Sequence, residues 1–158
     1  MVDRKPPREV GDERSVLLSL LQFQRESFVR KVEGLTDEQA RQSPVASGTT
    51  LLWLTKHLSM AEDVWLRHRF TGELTRKEVF DHTVHPGDTL TGAIERYRQT
   101  WATSDAIVAA ADLDDLARLE PDDPVNLRWI LGHLLEETAR HAGHADVLRE
   151  LLDGQTGR

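Results

Sequence analysis

Glu137, His141 and His144 are of the types that bind metal ions and move protons, and they stand where a helix should be apolar. Leu127, Ile130, Leu134, Glu137, His141, His144, Leu148 and Leu151 follow one another strictly at steps of three and four, the seam of a helix packed inside a bundle. Burying an unpaired carboxylate in such a seam costs several kcal/mol, more than one leucine's burial returns. Something has to satisfy the charge, and a divalent cation would. Residues four apart lie about 6 Å apart along a helix axis and about 40° around it, so Glu137 and His141 can address one ion together. A third donor must come from another helix, and His57 is the candidate, because it lies beside the apolar face of a second helical segment. Two imidazoles and one carboxylate are a donor set for zinc, non-haem iron or nickel, with positions open to water or substrate. The alternative is a metal-free polar network, with a hydrogen-bonded core histidine and Glu137 paired to Lys56 or Arg140. His144 is either a replacement ligand for Glu137 or a catalytic residue on the substrate side. His133 lies off the seam and reads as a surface or supporting residue. His68, His82 and His85 fall in or near a connection and are expected to be exposed.

Four helices are needed to position these groups. Leu17, Leu21, Phe28, Val32 and Leu35 form a stripe over 12–34, opened by Asp12 and closed by Gly34. Thr36-Asp37-Glu38-Gln39 has the capping-box pattern and predicts a short helical turn before Pro44. A second long helix is expected over 49–71, its face built from Leu54, Leu58, Ala61 and Trp65, with Gly72 at its end. The segment from Glu73 to Gly87 shows no period and reads as a long connection. A third helix over 89–111 carries Leu90, Ile94, Tyr97, Trp101, Ser104 and Val108. The last, over 126–153, is capped by Asn126 and stopped at Gly154, where a left-handed residue belongs. No segment alternates as a strand does, so the expected fold is all-α, a four-helix bundle of residues 12–154 behind a flexible stretch 1–11.

Composition limits the partners. The chain has 158 residues, 39% hydrophobic and 30% charged, a balance that suggests neither disorder nor a membrane protein. No apolar run approaches the ~20 residues a bilayer span needs, and the proline-bearing start lacks the apolar stretch of a secretion signal. With no cysteine, disulfides, thiolate zinc sites and a cysteine nucleophile are excluded, which agrees with a cytoplasmic location. A net charge of −7 argues against a nucleic-acid partner. Asp112, Asp114, Asp115, Glu120, Asp122 and Asp123 lie among turn residues and read as a solvated loop.

Sharper motifs are absent. His133-Leu134-Leu135-Glu136 begins like an inverted zinc-protease motif, but Glu137 stands where a second histidine is required. No paired Glu-x-x-His of the di-iron bundles is present, nor a glycine-rich phosphate loop, nor a nucleophile elbow. Three stretches carry a resemblance instead: Leu35-Thr36-Asp37-Glu38-Gln39-Ala40, then Ser47-Gly48 with Leu51 to Leu58, and Gly132-His133 with Glu136 to Asp146. Together they resemble the DinB-like superfamily, in a branch of actinobacterial proteins related to mycothiol-dependent maleylpyruvate isomerase. The resemblance spans about residues 12 to 154. It implies an up-down-down-up bundle and a metal ion held by His57, Glu137 and His141. Many relatives have histidine at the middle ligand position, and glutamate there resembles the isomerase. Many relatives also continue Arg-Gly-Gln after the last ligand, whereas this chain has Ala142-Gly143-His144.

The expected function is a metal-dependent transferase or isomerase using a low-molecular-weight thiol such as mycothiol. Zinc is the first choice of metal, with nickel or iron behind it, and the partners are the small thiol and an electrophile. A coordinated thiol is readily deprotonated and the thiolate is the nucleophile, so the protein needs no cysteine of its own. His144 would orient substrate or move a proton, and Trp53 and Trp129 are candidates for pocket walls or core packing. One alternative is a metal-dependent hydrolase with His144 or Glu136 as base. The other is a non-catalytic metal-binding bundle. A homodimer is expected from the resemblance and from the four tryptophans.

Overall fold

Each of the four long helices opens on a polar side chain that takes the place of the missing backbone acceptor. In the computed structural model, which describes residues 5–156, Asp12, Thr50, Thr89 and Asn126 each accept a backbone N–H three residues on. They start α1 (Glu13–Val32), α3 (Leu51–Glu62), α5 (Leu90–Ala109) and α6 (Leu127–Asp153). The expected turn at Thr36 is α2 (Asp37–Arg41), with both bonds of its capping box formed. Residues 1–4 of the stretch expected to be flexible lie outside the described ones, and 5–11 are exposed and form no regular element. No strand forms among the described residues; Leu116 and Asn126 make one isolated bridge.

Two elements depart from the expectation. The second long helix changes pitch: α3 continues from Asp63 to Phe70 as a π-helix. The Thr71 N–H accordingly reaches five residues back to the Leu66 carbonyl at 3.0 Å. Gly72, at φ 69, then turns the chain out of the helix as only glycine does without strain. The connection expected to be irregular also contains one helical turn, α4 (Arg76–Val79). Its signal was legible, because Thr75-Arg76-Lys77-Glu78 repeats the capping-box pattern, and the Thr75 N–H and hydroxyl both donate to Glu78 Oε2 at 2.7 Å.

Helix directions follow from which ends meet. Arg128 at the start of α6 pairs with Glu13 at the start of α1 at 2.6 Å. Arg149 near the end of α6 donates to the Lys31 and Glu33 carbonyls at the end of α1. α1 and α6 are therefore parallel. One core cluster joins Phe28 and Val32 to Leu54, Leu58, Ile94, Tyr97 and Leu148. The other joins Leu21 to Leu66, Val108, Leu127, Ile130 and Leu134. The early halves of α3 and α5 thus meet the late halves of α1 and α6, and the order is up-down-down-up. Parallel neighbours α3 and α5 need a connection that returns the full helix length, roughly 30 Å for 20 residues. That requirement explains the long segment between them.

The seam of α6 is not where strict three-four spacing puts it. Leu127, Ile130, Leu134 and Leu148 are buried as expected, but mid-helix the buried residues are Thr138, Ala142 and Ala145. His144 is exposed and Leu151 is 56% exposed. Mid-helix, Glu137 and His141 therefore lie on the flank of the core rather than at its centre. The stripe of α5, in contrast, is buried throughout.

The ion pair of Arg25 with Glu62 is interior. Arg25 and Glu62, each 1% exposed, form a two-pronged ion pair at 2.6 and 2.8 Å, and Arg25 also reaches Asp105 at 2.9 Å. Burial works against the Arg25 charge, but the Glu62 and Asp105 carboxylates outweigh it and hold the guanidinium protonated.

Candidate metal centre

Antiparallel packing of α3 on α6 sets His57 opposite Glu137 and His141, and one helical stretch further along sets Trp65 opposite Trp129 and His133. His57 Nε2 and His141 Nε2 converge on Glu137 Oε1 at 2.9 and 3.0 Å. All three donor atoms lie within 4.8 Å of one another. The side chains are 17%, 20% and 13% exposed in the order His57, Glu137, His141, so the group is half-buried at the base of an opening.

Electrostatics favour the ligating forms of Glu137 and His141. Burial pushes the Glu137 carboxyl up, but His57 and His141 outweigh it and the net direction is down. Burial lowers His141 as well, with help from His57 and His144 and against the pull of Glu137, so its neutral form is favoured. The two cations considered as partners for Glu137 are engaged elsewhere: Lys56 pairs with Asp88 at 2.6 Å and Arg140 with Glu136 at 3.0 Å. A carboxylate and two imidazoles whose donor atoms lie within 4.8 Å of one another are a fitting set for a divalent metal.

Neighbours hold the rings in place. The indole of Trp53 stacks on His57 at 4.9 Å and 11°, fixing its plane. His144 Nδ1 lies 3.1 Å from Nδ1 of His141, the ring nitrogen turned away from Glu137. His144 thus lies behind a proposed ligand, and it touches neither Glu137 nor His57 within hydrogen-bond reach.

Three histidines expected to be surface or loop residues are half-buried. His82 sits edge-on to Trp53 and 6.0 Å from His57; its Nδ1 and that of His57 are both buried with no hydrogen-bond partner among the described residues. His133 is packed between Trp65 and Trp129, and His68 Nδ1 donates to the Leu74 carbonyl at 2.7 Å. The crossover from α3 to α5 folds back along α3, a consequence of parallel packing that a one-dimensional reading of an aperiodic segment does not show. His85 is exposed, as expected.

An opening of ≈ 320 Å³ adjoins the triad, with His57 and Glu137 among its walls and Val64, Trp65, Arg76 and Phe80 further out. Half-buried donors at the edge of a cavity, on parallel and antiparallel helices in up-down-down-up order, define the class: a DinB-like bundle. The family model of the mycothiol S-transferases matches residues 16–154, and the chain belongs to that family. No curated protein matches the sequence. Among solved structures, a conserved protein from Enterococcus faecalis superposes with a TM-score of 0.69 at 16% identity, over 92% of this chain and 100% of that one. At that identity the likeness concerns the fold.

Proposed function

We propose that the protein is a metal-dependent S-transferase that joins a low-molecular-weight thiol to a small electrophile. The observation that carries it is the convergence of two imidazole nitrogens and one carboxylate oxygen within 4.8 Å beside an open cavity, in a chain of the mycothiol S-transferase family. His57, Glu137 and His141 would hold a divalent ion, zinc first. Bound there, the ion would supply a Lewis acid that favours the thiolate form of a thiol. Glu137 offsets one unit of the ion's charge. Trp53 fixes the plane of His57. His144 is a positioning residue: with His141 in its Nδ1–H tautomer, His144 Nδ1 would accept a hydrogen bond from that N–H and leave the Nε2 lone pair for the ion. In the transfer, sulfur forms the new bond to the electrophilic carbon, the leaving group departs with the bonding pair, and the thiol proton passes to solvent.

The hydrolase reading has less support. Glu136 is 64% exposed and tied to Arg140, and His144 is engaged behind His141, so neither base candidate faces the cavity. A purely structural metal is disfavoured by the open volume beside the donors. The test is elemental analysis of protein purified without added metal or chelator, followed by incubation with a panel of thiols, mycothiol included, and monobromobimane. Stoichiometric metal and thiol-dependent conjugation that vanishes in His141→Ala are expected. Equal rates in both proteins would refute the reading.

A further inference from the structure

The cavity beside the triad is continued away from it by two elements with no part in metal binding. The π-helical segment supplies Val64 and Trp65, and the crossover supplies Arg76 and Phe80. Phe80 is 45% exposed, and the Arg76 guanidinium lies 5.0 Å over its ring. Arg76 has no carboxylate within ion-pair distance among the described residues. Two nearby arginines are already paired: Arg69 with Glu120 and Asp123, and Arg67 with Asp63 and Glu73. Glu120, the other acid lining the cavity besides Glu137, is therefore already neutralised. The pair is also preorganised. Thr75 and Glu78 close a capping box around α4, Val79 is 4% exposed beneath it, and Leu74 is tied to His68.

We propose that this cavity is the electrophile subsite and that it selects a flat aromatic electrophile carrying a carboxylate, the ring lying against Phe80 and Trp65 and the carboxylate on Arg76. The proposal rests on the transferase reading for the identity of the occupant as electrophile. A cavity of ≈ 320 Å³ has room for one substituted ring. An exposed aromatic wall at its mouth is surface that a ligand's ring would cover. A planar guanidinium already resting on an aromatic face presents its free edge, and that edge matches a carboxylate in two parallel hydrogen bonds. Placed so, the ring carbons lie between Arg76 and the His57–Glu137 end of the cavity, where the thiol would be held.

Equilibrium binding separates this subsite from the chemistry. The probes are 4-chloro-3-nitrobenzoate and its uncharged amide, titrated by calorimetry without thiol into wild type, Arg76→Gln, Arg76→Lys, Phe80→Ala and His141→Ala. Wild type should prefer the benzoate by about tenfold, the worth of one charge-assisted contact at a half-open site. Arg76→Gln should abolish the preference while amide affinity and metal content stay unchanged, and Arg76→Lys should keep part of it. Phe80→Ala should weaken both ligands alike, and His141→Ala should keep the preference. A preference that survives Arg76→Gln overturns the proposal, as does equal or undetectable binding of both probes to wild type. If the preference survives Arg76→Gln but is lost in His141→Ala, the carboxylate sits on the ion; the subsite then fails while the transferase reading stands. If conjugation shows no thiol dependence but Arg76 still controls binding, the subsite stands and the transferase reading fails.

Discussion

At the residue scale the two histidines of the triad differ in what holds them. His57 is fixed by stacking on Trp53, and His141 by a hydrogen bond from behind. Removing such a supporting partner typically costs 10–100-fold in metal affinity. His144→Ala is therefore expected to weaken metal binding by about that factor, read by competition with a chromophoric chelator. His144→Gln, whose amide oxygen can accept the same N–H, should restore most of it; no change in His144→Ala would remove the positioning role. The pH dependence has a definite sign. His141 is held below its ordinary value of 6.5, so its neutral, ligating form persists as pH falls through that value, and proton competition at His141 sets in only below it. Glu137 is lowered too and stays ionised further into acid than an ordinary glutamate. Metal retained after dialysis at stepped pH should therefore show no His141-dependent loss above 6.5; loss beginning near neutrality and sensitive to that residue would contradict the assignment.

At the scale of single elements, the displaced seam of α6 makes a prediction opposite to the sequence pattern. Ala142 is 5% exposed against α1, and Leu151 is 56% exposed. Ala142→Leu should overpack the interface and cost about 1–3 kcal/mol, whereas Leu151→Ala should change stability by less than about 0.5 kcal/mol. Urea denaturation of both variants checks this, and the reverse order would restore the strict three-four seam. The buried pair linking α1 to α3 is a second test. Glu62→Leu leaves the buried Arg25 with Asp105 at the surface as its one carboxylate and should cost about 3 kcal/mol. Adding Arg25→Met should recover much of that loss, because two apolar residues of similar volume leave no charge unpaired. A double variant as unstable as the single would mean that the pair contributes more than mutual compensation.

For the whole molecule, up-down-down-up order has a functional consequence. Because α3 and α5 run the same way, the chain must travel back along the bundle between them, and that return path brings Arg76, Phe80 and His82 to the flank where His57 lies. One connection thereby does two things: it closes the topology and it builds the outer wall of the cavity. No helix among the described residues is long and apolar enough to cross a membrane. We propose, as the resemblance implies, that the chain forms a homodimer. Sedimentation at micromolar concentration should give twice the chain mass of 17.9 kDa, and a monomer mass would refute it.

The sequence by itself determined everything that depends on neighbours along the chain. Capping side chains at Asp12 and Asn126, the stop at Gly154, the apolar stripe of α5 and the i, i+4 relation of Glu137 to His141 are local, so their spacing is enough to read them. His57 was legible only as the leftover histidine beside an apolar face. Its approach to Glu137 at 2.9 Å required the packing of α3 on α6. Tertiary structure alone decided the rest. Arg25 sits in the gap between Leu21 and Phe28, a polar residue whose burial makes sense only once Glu62 stands opposite. The π-helical pitch after Glu62 is invisible to a period count that assumes 3.6 residues per turn. The burial of His82 follows from where a connection without periodicity is laid down in space, and only the packing of parallel helices fixes that path.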